Sequence, residues 1–322
     1  MEVEYIAPHN NYNGYGMASR HLIKYLSKIG VTLDRNIKNA EISLIHAPAP
    51  AIDVATGRIK VLFTMIEGDK TPPSWIPYMR KADYIVVPSK FCKKVFDSEG
   101  FNCEVINLGY DPEVFVPVER TVHAPEEKPF TVLHYEAFQD RKGWDELLDA
   151  WTLSLYDRGK DVRLILKTIK PYNEIPERVK DFVDNVEVIS GKLPQHAIND
   201  LLAEADVFVF PSRGEGLSHP PLEAMATGCP VILTKGHSHM DFYDERYMYG
   251  VDVSRRIPTD YPGWEKVGNY VQCKTEHLAQ QLEHVYNHRG ESIDKGKLAI
   301  NYIKPYSYEN IAWQWKRFLR NI

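Results

Sequence analysis

Ten short apolar runs constrain the fold of this chain more than any other feature of its sequence. They are Val3–Ala7, Ile42–Ala47, Lys60–Ile66, Tyr84–Ser89, Cys103–Leu108, Phe130–Ala137, Val162–Thr168, Val186–Ser190, Val207–Ser212 and Pro230–Thr234. Most are continuously apolar rather than alternating. Such runs fit strands that helices cover on both faces, as in a parallel sheet.

Helical patterns lie between these strand candidates. They cover Met17–Ile29, Lys90–Glu99, Trp144–Tyr156, Gln195–Ala205 and Leu222–Ala226. Strands that alternate with helices along a chain predict an α/β protein built from doubly wound parallel sheets.

The length and one proline-rich stretch predict two domains. A single core stops growing at about 250–300 residues, and this chain has 322. Residues 117–129 contain prolines and charges without an apolar period, and five strand candidates lie on either side. We therefore expect an N-terminal domain over residues 1–118, a linker over 119–129, a second domain over 130–305 and a C-terminal helix over 306–322. The apolar residues Ile311, Trp315 and Leu319 have helical spacing, so this helix needs a partner surface.

Composition narrows the class of protein. The net charge of −5 argues against binding of polyanions by the chain as a whole. The four cysteines lack C-x-x-C spacing, and no histidine pair completes a zinc pattern, so we expect buried thiols and no metal site. The N-terminus does not resemble a signal peptide, and no apolar run reaches the ~20 residues of a membrane-spanning helix. These features predict a cytoplasmic protein.

The stretch Phe208–Ile232 carries the strongest chemical signal. It predicts a strand, a glycine loop, a helix, a glycine and another strand. Gly214 and Gly216 allow the backbone to approach a ligand closely. Pro220 and Pro221 fit the opening of a helix, whose N-terminus would favour a diphosphate.

Two glutamates in this stretch are candidate ligands of sugar hydroxyls. Glu215 lies between the two glycines, and Glu223 follows eight residues later. A carboxylate accepts hydrogen bonds from a pair of hydroxyls, so the two could hold a ribose and a hexose. Alternatively, Glu223 stabilises a helix dipole and Glu215 is a solvated loop residue.

The same stretch resembles the signature of the family 4 retaining glycosyltransferases, E-x7-E followed by A-M-A-x-G-x-P-V-I. The resemblance implies the GT-B fold, in which two Rossmann-like domains face each other across a cleft. It also implies that Glu223 holds the nucleotide ribose and Glu215 contacts the donor sugar. The sequence departs from the family at Leu217-Ser218-His219, where Phe-Gly-Leu is more frequent.

Arg141–Trp151 resembles the family's K-G-x-x-x-L-L-x-A-W segment, which implies that Lys142 contacts the donor diphosphate. The family usually adds an arginine five or six residues upstream. Here those positions are Ala137 and Glu136, so the second cation is missing or is Arg141. The alternative for Arg141 and Lys142 is an exposed basic turn before a helix.

Further segments resemble the first half of the family's fold. Asn11–Leu26 resembles its first glycine loop, with Gly14 and Gly16 before a helix. Thr64–Phe91 and Asn107–Pro117 resemble the core of its N-terminal domain and the exit into its linker. The full set of donor-binding residues that we predict is Gly14, Gly16, Arg141, Lys142, Ser190, Gly191, Lys192, Glu215, Gly216, Leu217, Ser218 and Glu223.

The resemblance implies retaining transfer of a sugar from a nucleotide-sugar substrate, with no cofactor and no metal. We predict Glu215, Lys142 and Glu67 as the catalytic residues, the last because the family's histidine after the third N-domain strand is replaced here by Met65-Ile66-Glu67. His46 is a weaker candidate. The acceptor stays open among a glycan, a lipid-linked sugar, a small molecule, a protein and modified nucleic acid.

Two other interpretations of the sequence remain open. The chain could be an inert sugar- or nucleic-acid-binding protein on the same scaffold, or another Rossmann-type sugar-nucleotide enzyme. Partnership with nucleic acid or a membrane surface is the less favoured option, because the basic residues Lys90, Lys93 and Lys94 also fit an ordinary solvated face.

Overall fold

Two six-stranded parallel sheets form the framework of the protein. The computed structural model describes residues 1–8, 14–37, 40–124, 126–180, 182, 185–259, 265 and 267–322. The first sheet contains β1 (Glu2–Ile6), β2 (Thr32–Asp34), β3 (Ile42–His46), β4 (Ile59–Phe63), β5 (Tyr84–Val87) and β6 (Cys103–Val105). The second contains β7 (Phe130–Tyr135), β8 (Val162–Lys167), β9 (Val186–Ile189), β10 (Val207–Phe210), β11 (Val231–Thr234) and β12 (Tyr249–Val251). An antiparallel pair, β13 (Val253–Pro258) and β14 (Asn269–Cys273), lies outside both sheets.

The strand order places a switch point in each sheet. The first sheet runs β2-β1-β3-β4-β5-β6 and the second β12-β11-β10-β7-β8-β9. The chain reverses its direction of winding between β1 and β3, and between β7 and β10. The crevice outside the carboxyl ends of such strand pairs is where open α/β sheets bind ligands.

Ten α-helices among the described residues connect and cover the sheets. They are α1 (Gly14–Lys28), α2 (Ile76–Met79), α3 (Lys90–Asp97), α4 (Trp144–Ser154), α5 (Glu177–Lys180), α6 (Gln195–Glu204), α7 (His219–Ala226), α8 (Thr275–Asn287), α9 (Arg289–Ile303) and α10 (Tyr308–Arg320). Within the ranges that the structure describes, none is long and apolar enough to cross a lipid bilayer.

The side chains of single strands divide between different parts of the core, which explains the continuous apolar runs. In β3, Leu44 packs with the residues of α1 and α10, whereas Ile45 packs with those of α3. In β8, Ile165 faces one cluster and Leu164 the other. Both faces of each sheet are therefore buried, as expected for parallel strands.

The predicted fold class is confirmed. Each of the ten predicted strands is present, and two separate parallel sheets form Rossmann-like halves. The predicted helices also occur, although α7 begins at His219, three residues before the predicted start. The four cysteines are free and buried. Strands β2 and β12 to β14 and helices α2, α5, α8 and α9 were not predicted.

The C-terminal helix α10 returns to the first half and packs against α1. Ile311, Trp315 and Leu319 are buried on its inner face, and the rings of Trp315 and Phe63 of β4 form an edge-to-face pair with centroids 5.0 Å apart. The chain between the halves also has tertiary contacts, since the guanidinium of Arg120 donates to the carbonyl oxygens of Leu202 and Ala205. The domain limits given above stay a prediction.

Five histidines are buried among the described residues, and the pKa of four of them is lowered. His46 ends β3 and stacks on Phe63, His134 lies in β7, His219 begins α7 and His239 follows β11. Burial lowers the pKa of all four, to about 3 for His46 and His219 and about 4 for His239. Each is therefore neutral in the folded protein near pH 7.

We predict that acid destabilises the protein through these histidines. Because their folded pKa values lie below the unfolded value near 6.5, their contribution to stability is fully present above that pH and is lost as the pH falls. Below pH 6 the free energy of unfolding should fall by up to about 1.4 kcal/mol per pH unit for each histidine.

Urea denaturation at pH 7, 6 and 5.5 measures this slope. The matched variant is His219→Gln, which removes one titrating group and should make the slope smaller by about one histidine's share. A slope that is the same in both proteins would contradict the prediction for His219.

Candidate functional site

The candidate site lies at the switch point of the second sheet. Glu136 follows β7, and the loop 211–217 follows β10, the neighbouring strand. A 3-10 turn, Asp140–Lys142, and the N-terminus of α7 border the same crevice. The carboxyl ends of the two strands thus bring together segments that are about 75 residues apart in the sequence.

Glu215 is the centre of the site. Its Oε1 atom accepts hydrogen bonds from Lys142 Nζ at 2.7 Å, Arg141 Nη1 at 2.8 Å and Ser212 Oγ at 2.6 Å. The carboxylate is 6 % exposed and Lys142 5 %. The interpretations of Glu215 as a solvated loop residue and of Lys142 as an exposed turn residue are therefore wrong, because both charges are buried and paired.

Two further carboxylates complete the charge network. Glu136 Oε1 accepts from Lys142 Nζ at 2.9 Å, and Glu67 Oε1 lies 3.0 Å from Arg141 Nη2. Glu67 follows β4 in the first half of the chain, so the Glu67–Arg141 pair bridges the two halves. Three carboxylates thus surround two cations.

The electrostatic environment keeps Glu215 ionised. Burial by itself would raise the pKa of this carboxyl group, but the charges of Arg141 and Lys142 and the hydrogen bonds from Lys142 and Ser212 outweigh it and lower the pKa to about 2. Glu215 therefore remains a carboxylate across the physiological pH range.

Glu223 has the opposite character. It lies on α7, is 3 % exposed, and its Oε2 accepts a hydrogen bond of 2.5 Å from the hydroxyl of Tyr135 at the end of β7. Burial raises the pKa of Glu223 to about 7, against the lowering effect of the Tyr135 hydrogen bond. Glu223 is the fifth residue of α7, and the first turn of this helix contains no acidic residue, so Glu223 is not the first-turn acid of the alternative interpretation.

The glycine loop touches the first half of the chain. A Cβ atom at Gly214 would lie 2.5 Å from the carbonyl oxygen of Glu67, and one at Gly216 would lie 2.7 Å from Cβ of Met65. Any other residue at either position would push the loops apart. The glycines are thus required by the approach of the loop after β4.

Leu217, Ser218 and His219 form the entry to α7. Leu217 and Ser218 are buried, and Ser218 Oγ lies 3.3 Å from His239 Nε2. His219 Nε2 lies 2.9 Å from the Tyr308 hydroxyl at the start of α10. The departure from the family's Phe-Gly-Leu therefore ties α7 to the C-terminal helix.

The predicted nucleotide contacts lie at the end of β9. Ser190 Oγ donates to the carbonyl oxygen of Lys170, and Gly191 has a φ of +92°, which favours glycine. The buried Lys167, at the end of β8, donates to the carbonyl oxygens of Thr168 and Gly191. Lys192 is exposed beside them.

The predicted first glycine loop is only partly described. Gly14 is exposed at the start of α1 and Gly16 is buried within it. The preceding part of the predicted segment, 11–13, lies outside the described residues. His46 ends β3 at the switch point of the first sheet, where its Nδ1 meets Tyr5 Oη at 2.9 Å and Ser19 Oγ at 3.1 Å.

Three residues of the site were not predicted from the sequence. Ser212 and Tyr135 contact the two glutamates, and Glu136 pairs with Lys142. Their position directly after or at the end of β7 and β10 is the signal that could have identified them. In the described parts of the chain, no group of three or more His, Cys, Asp or Glu side chains is arranged to hold a metal ion.

Comparison with known proteins matches part of the chain to a glycosyltransferase family model. Residues 116–247 match the family model described as glycosyl transferases group 1. The matched segment contains the site residues of the second half of the chain, namely Glu136, Arg141, Lys142, Glu215 and Glu223. The match supports a glycosyltransferase of this group.

Curated relatives are distant. A putative glycosyltransferase 45 from Sulfolobus islandicus filamentous virus is 24% identical over 249 residues, which are 74% of this chain and 66% of that protein. Mannosylfructose-phosphate synthase from Agrobacterium fabrum is 29% identical over 145 residues, 40% of this chain and 32% of the relative. The alignments thus span about a third to two thirds of these relatives.

Solved structures share the whole fold. Sucrose-phosphate synthase from Thermosynechococcus elongatus has a TM-score of 0.77 at 14% identity, covering 100% of this chain and 98% of the other. The Anabaena HepE protein, in complex with UDP-glucose, has a TM-score of 0.72 at 14% identity with complete coverage of both chains. These are GT-B glycosyltransferases, so the likeness shows the GT-B fold.

We predict that Glu215→Gln destabilises the protein by about 1–3 kcal/mol, because it leaves buried donors of Arg141, Lys142 and Ser212 without their charged acceptor. Glu67→Gln is the matched control. Its carboxylate is a quarter exposed and pairs with one cation, so we expect a loss below about 1 kcal/mol.

Urea denaturation at pH 7 compares the two variants with the wild type. If both variants lost the same free energy of unfolding, the buried hydrogen bonds of Glu215 would contribute no more to stability than the partly exposed ion pair of Glu67.

Proposed function

We propose that this protein is a retaining glycosyltransferase that moves a sugar from a nucleotide-sugar donor to an acceptor hydroxyl without a metal ion. The observation that carries the proposal is the buried Glu215 carboxylate, which Arg141 and Lys142 hold at the switch point of the second sheet. The group 1 match over residues 116–247 and the GT-B fold support it.

In this proposal the donor lies along the carboxyl ends of the second sheet. The diphosphate would contact Arg141 and Lys142 and face the N-terminus of α7. The ribose hydroxyls would bind Glu223, and the rest of the nucleoside would contact the backbone at Ser190, Gly191 and Lys192. Structures of HepE contain UDP and UDP-glucose, which supports a diphosphate nucleotide as ligand of this fold.

Glu215 would orient the donor sugar. Its three protein hydrogen bonds converge on Oε1, and we assign Oε2 to the sugar hydroxyls. The backbone of Gly216, Leu217 and Ser218 would line the same pocket. Since all three donors to Oε1 fix the carboxylate in place, the sugar is held with little freedom, which favours reaction from a single pose.

The chemical step follows from retention. The bond between the anomeric carbon and the diphosphate oxygen breaks, and the leaving diphosphate takes the electron pair. The acceptor oxygen forms the new bond on the same face, and its proton passes to the diphosphate oxygen. Arg141 and Lys142 stabilise the negative charge that develops on the diphosphate, so that the protein itself supplies the cations.

Glu67 is the proposed contribution of the first half. It reaches Arg141 from the loop after β4, so it lies beside the place where donor and acceptor would meet. When Arg141 turns towards a diphosphate, the Glu67 carboxylate becomes able to accept a hydrogen bond from the acceptor hydroxyl and orient it.

A second candidate function is binding of a nucleotide-sugar without transfer. Glu136, next to Lys142, favours it, because a third carboxylate offsets the positive charge that would stabilise the leaving diphosphate during transfer. In that case the protein would bind the nucleotide-sugar but would transfer the sugar to no acceptor.

The central prediction is donor turnover with retention. Incubation with UDP-, GDP-, ADP- and dTDP-sugars should release a nucleoside diphosphate, by slow hydrolysis or by transfer to an added acceptor, at the same rate with EDTA present. NMR of the first-formed product should show the anomeric configuration of the donor.

Glu215→Ala serves as the control and should reduce turnover by about 100-fold, because a misplacement of 1 Å costs roughly that much. An inverted product, or a rate that EDTA abolishes and manganese restores, would contradict the proposed mechanism.

A further prediction concerns Glu223. Its pKa of about 7 in the empty protein means that it is protonated below that pH and cannot accept from two ribose hydroxyls. Affinity for the nucleotide-sugar should therefore be about tenfold lower at pH 6 than at pH 8, if the complex requires the carboxylate.

Glu223→Gln should lower the affinity at pH 8 by about 1.5–3 kcal/mol and remove the pH dependence. Calorimetry at both pH values measures this. An unchanged affinity in the variant would show that Glu223 does not hold the ribose.

A further inference from the structure

Glu136 reverses the charge expected at its position. It follows β7 at the switch point. The family that the sequence resembles usually has an arginine at this position or the next. The carboxylate is fixed at both oxygens, since Oε1 accepts from Lys142 Nζ at 2.9 Å and Oε2 accepts from the backbone N–H of Ala137 at 3.2 Å. Its side chain is 17% exposed.

Lys142 does not need Glu136 for charge balance. Its ammonium already lies 2.7 Å from Glu215, and its side chain is 6% exposed, so both carboxylates compete for one nearly dehydrated cation. With Glu67 on Arg141, the network carries one negative charge in excess. An anion that enters this network meets repulsion that little water screens.

We propose that Glu136 is a positioning residue that weakens the hold of the site on the nucleoside diphosphate product and so speeds its release. This inference rests on the proposed function. Glu136 acts through Lys142: it keeps part of the ammonium's hydrogen-bonding capacity engaged and places a negative charge beside the phosphates.

The repulsion discriminates between substrate and product. In a nucleotide-sugar the terminal phosphate is esterified and carries one charge. After transfer it is an unesterified terminal phosphate, whose second ionisation has a pKa of about 6, so at pH 7.5 it carries close to two charges. Glu136 therefore opposes the product more strongly than the donor.

The test compares Glu136→Gln with the wild type by calorimetry at pH 7.5. Glutamine keeps the size and one oxygen for Lys142 but removes the charge. We expect about tenfold tighter binding of UDP or GDP and of inorganic pyrophosphate, roughly threefold tighter binding of the nucleotide-sugar, and unchanged binding of the free nucleoside. Product inhibition should become stronger by the same factor as product binding.

Glu136→Asp is the matched control. It keeps the charge but withdraws it by one methylene group, so product affinity should stay within about threefold of the wild type. A purely structural role would give weaker binding in both variants together with a lower melting temperature, and this result would overturn the proposal, as would unchanged product affinity in Glu136→Gln.

The experiment also separates this inference from the proposed function. If the wild type binds diphosphates but Glu136→Gln binds them no more tightly, the inference fails alone. If neither protein binds any diphosphate, both fail. Binding that appears only in Glu136→Gln would support the inference directly.

Discussion

The convergence of Arg141, Lys142 and Ser212 on one oxygen of Glu215 is the interaction on which the site depends. The donors come from the 3-10 turn before α4 and from the end of β10, so the carboxylate fixes the loop after β10 against the turn that follows β7. Burying a carboxylate is unfavourable unless it is paired and fully hydrogen-bonded, and here two cations and a hydroxyl meet that requirement. The glycine loop, the start of α4 and the entry to α7 thus have a common centre.

The two halves of the protein are joined around this centre by several polar contacts. Glu67 reaches Arg141, and the neighbouring Asp69 accepts a hydrogen bond of 2.7 Å from the backbone N–H of Asn269 at the start of β14. Asp69 therefore holds the β13–β14 pair against the first half. The ring of Tyr308 in α10 stacks on His21 of α1 and on His219 of α7, which links the first half to the second. Domain movement during a catalytic cycle would have to preserve or exchange these contacts.

The sequence predicted those elements whose local pattern is strong. Continuous apolar runs identified β1, β3 to β11, because strands with two buried faces leave an unambiguous signal. Strands β2 and β12 have three residues each and are too short for a pattern, and β13 is mostly exposed, with two adjacent arginines and no apolar run. Helix α8 is amphipathic, whereas the buried face of α9 includes Ser292 and Gly296, so α9 leaves only a weak apolar pattern. In the site, the motif gave Glu215, Glu223 and Lys142, whereas Tyr135, Ser212 and Glu136 carry no motif and could be found only from the strand order.

By itself, the sequence determined the α/β class, the two parallel sheets and the identity of the acidic and basic residues near a glycine loop. Periodicity and motif spacing are local properties of the chain, so they can be identified in the sequence without knowledge of the fold. Only the tertiary structure decided how those charges are paired. The adjacent strands β7 and β10 decide which charged groups lie within about 3 Å of one another. The burial of Lys142, the low pKa of Glu215 and the high pKa of Glu223 depend on this arrangement. So does the excess of carboxylates around two cations. Desolvation and Coulomb interactions act through space, and no pattern along the chain encodes those distances.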